Sequence, residues 1–298
     1  MTLPELVAHT ARQLTAAGVS FGHGTANAHD EAAWLVLHAL GLPLDTDLAQ
    51  DALCGPVTGA QKAQAAALLQ QRIAMRRPLA YLTRQAWLQG VPFYVDERSI
   101  VPRSLIAEVL AADSIDPWLP GSQTGSKCTH RVLDLCTGGG SLAVLAALAW
   151  PETPVDAADI SADALAVARI NIEQHGLRQR IALIESDGLK NCAGPYDLIL
   201  CNPPYVNTAS MAALPPEYRA EPALALAGGA DGMDFVRRLI RDAPAVMNQH
   251  AALVLEIGHE RAHFEAAFPH LAPLWLETSA GGDQVLLLAR EDLAGVEY

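Results

Sequence analysis

Aromatic side chains are scarce in this chain: Phe, Trp and Tyr together make up 5% of its 298 residues. That scarcity argues against a nucleic-acid platform built from many stacked rings. Cysteine is also sparse. The five thiols, Cys54, Cys128, Cys136, Cys192 and Cys201, form no C-x-x-C pair. Neither a zinc ribbon nor a disulfide framework is suggested, and reduced thiols in a cytosolic protein are expected. Long apolar runs are missing: Leu142–Trp150 covers nine residues, whereas a membrane span needs about 20. The start, Met1-Thr2-Leu3-Pro4-Glu5, lacks a basic segment, so a secretory signal is not expected. These absences predict a cytoplasmic protein with no membrane role.

An excess of basic charge is lacking too. The formal net charge is −13, and it is unevenly placed. Residues 1–113 carry eight Lys and Arg against ten Asp and Glu, and residues 131–298 carry eleven against twenty-two. A protein that grips a nucleic-acid backbone unaided presents a basic face, because phosphate neutralisation supplies most of its affinity. The acidic C-terminal part argues against that role and tolerates a basic partner. The densest basic cluster, Arg72, Arg76, Arg77 and Arg84, reads as a solvated helix end.

What the chain has is apolar mass, 51% of residues, enough for a sizeable core. Its length suggests two domains of about 100–200 residues. Ser114–His130, rich in Pro, Gly, Ser and Thr, is the natural linker. The expected division is therefore a mainly helical N-terminal domain over 1–113, a linker over 114–130 and a second domain over 131–298. In the first, Asn27 or Asp30 caps a helix through Leu40, and Thr58 caps another through Arg76 that Pro78 ends. Trp87–Gln89 and Phe93–Val95, separated by Gly90-Val91-Pro92, form a small hairpin. In the second, strands at Arg131–Leu135, Val155–Ile160, Ile181–Glu185, Tyr196–Cys201 and Ala252–Ile257 alternate with helices at Ser141–Trp150, Ala162–His175, Phe235–Met247 and Arg261–Phe268. Such alternation implies a mainly parallel sheet with helices on both faces. The last strands, Leu274–Thr278 and Gln284–Ala289, are separated only by a turn containing Gly281-Gly282-Asp283. They must pair antiparallel, because a parallel crossover needs a dozen or more residues.

Chemistry concentrates at strand ends. Asp134-Leu135-Cys136-Thr137-Gly138-Gly139-Gly140 joins a strand to a helix, where glycines let the backbone turn sharply and a ligand approach it. Gly138-x-Gly140-x-x-Ala143 fits a dinucleotide fingerprint, with Asp159 nineteen residues after Gly140 to accept bonds from ribose hydroxyls. This pair alone does not separate NAD from S-adenosylmethionine, and a tight turn without a ligand would look the same. Asp187, before Gly188, suits an adenine amine, although a carboxylate at a strand end often only caps a helix.

Asn202-Pro203-Pro204-Tyr205 follows directly on the apolar strand Tyr196–Cys201. Two consecutive prolines fix the backbone and donate no amide hydrogen bonds, which frees carbonyls to face a ligand. Asn202 adds a side-chain carbonyl and Tyr205 a flat face. This set suits a planar –NH2 group, whose two hydrogens meet two carbonyls while the ring limits its tilt.

DLCTGGG over 134–140, Asp159, Asp187 and NPPY over 202–205, in this order, resemble a class I S-adenosylmethionine-dependent methyltransferase. The NPPY form resembles enzymes that methylate planar nitrogens, in adenine, guanine or glutamine. Glu217-Tyr218, Glu221-Pro222-Ala223-Leu224-Ala225-Leu226 and Gly228-Gly229-Ala230-Asp231-Gly232, with Pro78–Leu82 and Val101–Ser104 upstream, resemble the HemK/PrmC-related glutamine methyltransferases of release factors and ribosomal proteins. Phe21-Gly22-His23-Gly24-Thr25 is similar to the PrmB-like, ribosomal-protein branch.

The resemblance implies an α/β fold: a Rossmann-like sheet, mainly parallel, with a C-terminal antiparallel hairpin and a small N-terminal helical domain that helps recognise substrate. It implies S-adenosylmethionine as cofactor, S-adenosylhomocysteine as product and no metal. The implied substrate is a glutamine of a basic large-subunit ribosomal protein, protein three, or alternatively of a release factor, with no direct nucleic-acid substrate. Carried over by position, Asp134, Cys136, Thr137, Gly138, Gly139, Gly140, Asp159, Ile160, Asp187, Gly188 and Asn202 bind cofactor. Asn202, Pro203, Pro204 and Tyr205 bind substrate, and Asn202, Pro203 and Tyr205 are catalytic. Two positions depart from the pattern: Cys136 stands where Gly is common, and Gly188 where a larger side chain often covers adenine.

Three other readings stand beside this one. Adenine and guanine offer the same planar nitrogen, but a nucleic-acid amino methyltransferase would need a basic substrate face. An NAD-dependent oxidoreductase would use Gly138-x-Gly140, yet it leaves NPPY without a role and no Tyr-x-x-x-Lys pair is present. A binding-only scaffold would not need an intact NPPY. His259-Glu260-Arg261-Ala262-His263 matches the H-E-x-x-H zinc signature, but Ala266 and Pro269 stand where an extended motif has Gly and His, so two solvent-facing histidines are expected. Cys201 reads as a packed thiol, and His23 as a turn residue or a substrate contact.

Overall fold

A computed structural model of the protein describes residues 1–48, 56–118 and 131–293. Most of the expected linker 114–130, and both Cys54 and Cys128, lie outside the described residues. In chain order the helices are α1 (Leu3–Ala16), α2 (Ala28–Ala39), α3 (Gly59–Met75), α4 (Leu79–Thr83), α5 (Ile106–Ala111), α6 (Ser141–Ala149), α7 (Ala162–Gln174), α8 (Thr208–Ala213), α9 (Pro216–Arg219), α10 (Asp234–Asp242), α11 (Arg261–Ala267) and α12 (Arg290–Leu293). The strands are β1 (Ala86–Leu88), β2 (Val91–Phe93), β3 (Val132–Leu135), β4 (Val155–Asp159), β5 (Ile181–Glu185), β6 (Tyr196–Cys201), β7 (Met247–Glu256), β8 (Leu274–Thr278) and β9 (Gly281–Ala289). Among the described residues no helix is long and apolar enough to cross a membrane.

The chain divides into two compact units. The first comprises Met1–Ala86 together with Leu214–Glu221. Its helices start at side chains that satisfy the exposed first-turn amides. Thr2 and Glu5 form a capping box on α1, Asn27 caps α2, and Thr58 and Gln61 form a second box on α3. Leu6, Val7, Leu14, Leu35 and Leu69 are buried between them. The basic stretch at the end of α3 is not the solvated helix end expected from the sequence. Arg72 is fully buried: Nε donates to Glu31 Oε1 at 2.8 Å, Nη1 to Glu217 Oε1 at 3.1 Å and Nη2 to the Ser20 carbonyl at 2.8 Å. Arg76 Nε donates to the same Glu217 Oε1 at 2.6 Å. A planar guanidinium with five donors accepts such a set of partners where a lysine could not. The segment carrying Glu217, distant in sequence, thereby belongs to this unit.

The second unit comprises Trp87–Ala213 and Pro222–Tyr298. The residues 87–113, placed by sequence in the N-terminal domain, pack here instead. Leu88, Phe93, Ile106, Val109 and Leu110 share one core with Val132, Val144, Val155 and Leu198. The seven-stranded sheet has the order β5-β4-β3-β6-β7-β9-β8. β5, β4, β3, β6 and β7 are parallel, and β9 is antiparallel to both β7 and β8. Successive side chains point to opposite faces, so Leu198 and Leu200 enter one core while Ile199 and Cys201 enter the other.

Several boundaries differ from the sequence reading for local reasons. The β1–β2 turn is Gln89-Gly90, both with positive φ, and Val91-Pro92 belong to β2. The expected helix 235–247 ends at Asp242, ahead of Pro244, and β7 starts at Met247 with the polar Asn248-Gln249-His250. Gly281-Gly282-Asp283 open β9 rather than forming the turn, which falls at Ser279-Ala280.

The turn after β3 is held from beneath by Asp134. Its Oδ2 accepts the Thr137 hydroxyl at 2.5 Å and the Ala143 amide at 2.8 Å, while Oδ1 is buried with no partner. Burial pushes this carboxyl up to about 7, against the hydrogen bonds from Thr137 and Ala143, which pull it down.

Two outcomes follow. For Asp134 the folded state holds a proton that the unfolded state releases, so its contribution is present below the ordinary carboxylate range and is lost as pH rises toward 7. Relative to Asp134→Asn, the unfolding free energy of the natural chain should fall by up to about 4 kcal/mol between pH 4 and pH 7.5. Chemical denaturation across that range measures it, and a pH-independent difference contradicts the assignment. Arg72→Met should cost about 3–5 kcal/mol, because it strands buried carboxylates. Arg72→Met combined with Glu31→Leu should recover part of that loss.

Candidate active site

The chain builds β3, β4 and β5 outward in one direction and then returns to place β6 on the other side of β3. At this switch point the loops leave the carboxyl ends in opposite directions and open a crevice. A cleft of about 230 Å³ lies there. Each of four neighbouring strands contributes to its lining: Leu135, Cys136 and Gly138 after β3, Asp159 and Ile160 at β4, Ser186, Asp187 and Gly188 after β5, and Asn202 and Pro204 after β6. Arg98, Ser99 and Ile100 complete one wall, and Leu224, Ala225, Phe235 and Arg238 line the rest.

The glycine turn presents backbone to this space. Cys136 has φ +60° and Gly138 φ +54°. An L side chain pays about 1–2 kcal/mol in that region, a cost that Cys136 bears and Gly138 does not. A Cβ on Gly138 would meet nothing within 4 Å, so it would stand in open cleft. The Gly138 amide donates to Asp159 Oδ2 at 2.8 Å and the Ser161 amide to Oδ1 at 2.9 Å. Burial raises the Asp159 carboxyl, against the amide bonds from Ser161 and Gly138. Each oxygen keeps a lone pair for a ligand diol. Ile160, a large apolar side chain, is 49% exposed at the cleft. Asp187 is engaged already: Lys190 Nζ lies at 2.5 Å and Arg238 Nη1 at 3.1 Å, and these bonds hold its carboxyl below the usual range. Asp134, Thr137, Gly139 and Gly140 do not line the cleft. Asn171, which sequence reasoning missed, braces the turn instead, donating to the carbonyls of Gly139 at 2.8 Å and Tyr94 at 3.0 Å.

On the opposite wall, Asn202 is half-buried, and its side chain has no hydrogen bond to any described residue. Pro204 lines the cleft beside it, whereas Pro203 is buried and Tyr205 lies outside the lining. Cys201 is fully buried, and burial pushes its thiol well above the ordinary value, which disqualifies it as a nucleophile.

Tyr205 is held by Glu256, which no motif in the sequence announced, and by close-packed glycines. Its hydroxyl donates to Glu256 Oε1 at 3.3 Å. Glu256, at the end of β7, also accepts the Ser104 hydroxyl at 2.6 Å and the Leu105 amide at 2.8 Å. Burial raises this carboxyl, while the Ser104 and Leu105 bonds oppose the rise. A Cβ on Gly258 would stand 2.6 Å from the Tyr205 ring, one on Gly228 2.7 Å from its Cα, and one on Gly232 would collide with its carbonyl oxygen. The glycine-rich stretch 228–232 is legible in sequence, but its purpose, close approach to Tyr205, is not.

The remaining candidates lie elsewhere. His259 and His263 are exposed, with His263 Nδ1 2.5 Å from Glu260 Oε2. Among the described residues no group of three or more His, Cys, Asp or Glu is placed to hold a metal ion. His23 is buried in the first unit, its ring 4.2 Å from that of Tyr218 and its Nε2 3.4 Å from Glu221 Oε2.

The model of the Methyltransferase small domain family matches residues 122–214. Among solved structures, the hMettl16 catalytic domain in complex with MAT2A 3′UTR hairpin 6 is similar with a TM-score of 0.51 and 15% identity, over 77% of this chain and 80% of that chain. That likeness shows the class I methyltransferase fold alone. The ribosomal protein uL3 glutamine methyltransferase of Bordetella pertussis is 52% identical over 98% of this chain and 96% of its own length. Its counterpart in Neisseria gonorrhoeae is 47% identical over 99% and 97%, and that in Bradyrhizobium diazoefficiens 44% identical over 98% and 92%. At such identity over nearly the whole length, the chain is a methyltransferase and belongs to the ribosomal protein uL3 glutamine methyltransferase family.

Proposed function

We propose that this protein methylates the side-chain amide nitrogen of a glutamine in ribosomal protein uL3, with S-adenosylmethionine as donor. The observation that carries the reading is the single cleft in which Asn202 and Pro204 stand with Cys136, Gly138 and Asp159.

The residues fit the donor. Gly138 leaves open the space that a Cβ would fill, Asp159 offers carboxylate oxygens to a ribose diol, and exposed Ile160 offers an apolar face to a flat base. The carboxylate of Asp187 is taken up by Lys190 and Arg238, so adenine would meet the Gly188 backbone rather than that side chain. When bound, S-adenosylmethionine supplies an electrophilic methyl group on a sulfonium.

Asn202, free of other partners, offers its side-chain carbonyl to one hydrogen of the substrate amide. The Pro203 carbonyl serves for the other, and Tyr205 limits the tilt of the amide plane. An amide nitrogen is a poor nucleophile, because its lone pair is delocalised into the carbonyl. Orientation removes much of the penalty, and two fixed acceptors stabilise the positive charge that develops on nitrogen. The alkylated amide is strongly acidic and gives its proton to solvent, so a dedicated base is not required. The net charge of −13 suits a basic ribosomal protein by long-range attraction. Substrate recognition falls to the N-terminal unit, a reading supported by its inclusion of Leu214–Glu221, which follows NPPY closely in the chain. A ribosomal-protein substrate suits a cytoplasmic enzyme.

Asn202→Ala should retain S-adenosylhomocysteine binding by calorimetry while methylation falls by about 10²–10³-fold; unchanged turnover removes Asn202 from the mechanism. With a radiolabelled methyl donor and ribosomal extract lacking the modification, the label should appear in uL3, sensitive to protease and resistant to nuclease. A nuclease-sensitive label favours the nucleic-acid reading, and a labelled release factor the other glutamine branch. Gly258→Ala should push the Tyr205 ring aside, lowering turnover at least tenfold with donor affinity unchanged; equal loss of both places Gly258 in general stability alone.

A further inference from the structure

Arg98 lines the cleft but belongs to no motif singled out from the sequence. It lies between β2 and α5 and is half of a rigid ion pair. Its Nε donates to Asp96 Oδ1 at 2.9 Å and its Nη2 to Oδ2 at 2.7 Å. The Arg98 amide donates to Oδ1 at 3.1 Å, and the Tyr94 hydroxyl to Oδ2 at 2.8 Å. Asp96 is 6% exposed, so the guanidinium plane is fixed from a buried base.

That geometry uses one edge of the fork. A guanidinium presents a second pair of parallel N–H groups, on Nη1 and Nη2, suited to a carboxylate. Asp96 occupies the Nε–Nη2 side only, with the Tyr94 hydroxyl beside the guanidinium, and the side chain is 39% exposed. Its place along the cleft is set by its neighbour: the Ser99 hydroxyl would lie 3.3 Å from a Cβ on Gly139. The stretch 98–100 therefore lies against the glycine turn. The other cation of the lining, Arg238, is bound to Asp187 after β5.

The ligand proposed above has three recognisable parts. Ile160 and Gly188 suit its base and Asp159 its ribose, which leaves the amino-acid end, with its carboxylate, for the wall beside the glycine turn. We propose that the Nη1 side of Arg98, turned away from Asp96, binds this α-carboxylate, with Asp96 and Tyr94 as positioning residues. The assignment rests on the cleft being the S-adenosylmethionine site. The Asp96 charge does not cancel the attraction, because it occupies the opposite edge and holds the donors at a fixed angle.

Binding of three probes by calorimetry tests this. S-adenosylhomocysteine carries the carboxylate, its decarboxylated analogue keeps the ammonium group without it, and 5′-methylthioadenosine lacks the amino-acid end altogether. Arg98→Gln should weaken S-adenosylhomocysteine by about 10- to 100-fold, the scale of a charged hydrogen-bonded pair, and leave the other two unchanged. Arg98→Lys, which keeps the charge without the fork, should recover part of the loss. Asp96→Asn should weaken S-adenosylhomocysteine alone, by less than Arg98→Gln. Equal weakening of all three probes by Arg98→Gln, or no change in any, overturns the proposal. If the natural chain binds none of them, the reading of the cleft itself fails and this assignment falls with it.

Discussion

The site depends on the backbone at Tyr205 being clamped to the loop that follows it. Val206 pairs with that loop: its amide donates to the Leu226 carbonyl at 2.8 Å and its carbonyl accepts from Gly228 at 2.9 Å. A short parallel bridge joins Val206 and Ala227. Gly228, Gly232 and Gly258 then crowd the Tyr205 main chain and ring more closely than any side chain could tolerate. Two prolines restrict φ but do not fix where a corner points. The clamp does, and it aims the half-buried Asn202 into the cleft. A corner held only by its prolines would sample orientations and lose the positional advantage on which an unactivated amide depends.

This constraint explains which parts of the site were legible in sequence. Residues at strand ends are local signals: an apolar run stops, a polar or glycine-rich stretch starts, and the topology of parallel sheets gathers those points at one rim. Ile181–Glu185, Tyr196–Cys201 and Leu274–Thr278 have the boundaries that the apolar pattern predicts, and Asp159 and Asn202 reach the same cleft. Other features depend on proximity that no pattern records. Glu256 ends an apolar strand that gives no hint of its bond to Tyr205, fifty-one residues away. Arg72 sits in an Ala- and Gln-rich helix that looks solvated, because its partners lie 41 and 145 residues away. The start of β7 was missed for a simpler reason: Asn248-Gln249-His250 break the apolar run although the backbone is already extended.

The first unit and the rim of the sheet use buried charge differently. In the first, the Arg72 network is fully paired, and Glu217 meets two guanidiniums. Its burial would raise the carboxyl, but Arg76 and Arg72 hold it down at about 2. Such a network fixes Leu214–Glu221 to a unit whose other residues precede Trp87, and it does so by geometry rather than by a large net energy, since desolvation offsets most of the attraction.

In the second unit the carboxylates of Asp134, Asp159 and Glu256 meet no cation at all. Each is held by neutral donors: hydroxyls and main-chain amides at Asp134 and Glu256, amides alone at Asp159. Burial consequently raises all three. A salt-bridged carboxylate in these places would be more comfortable but would already have spent its strongest interaction. Asp159, left without a cation, keeps capacity for a ligand's hydroxyls, whereas Asp187, satisfied by Lys190 and Arg238, does not. Unfavourable burial is tolerated because these groups sit at the ends of adjacent strands in a sheet with apolar cores on both faces. Rigidity that the cores contribute is thus converted into reactive capacity at the rim, and the conversion depends on the register that ends β3, β4, β6 and β7 side by side.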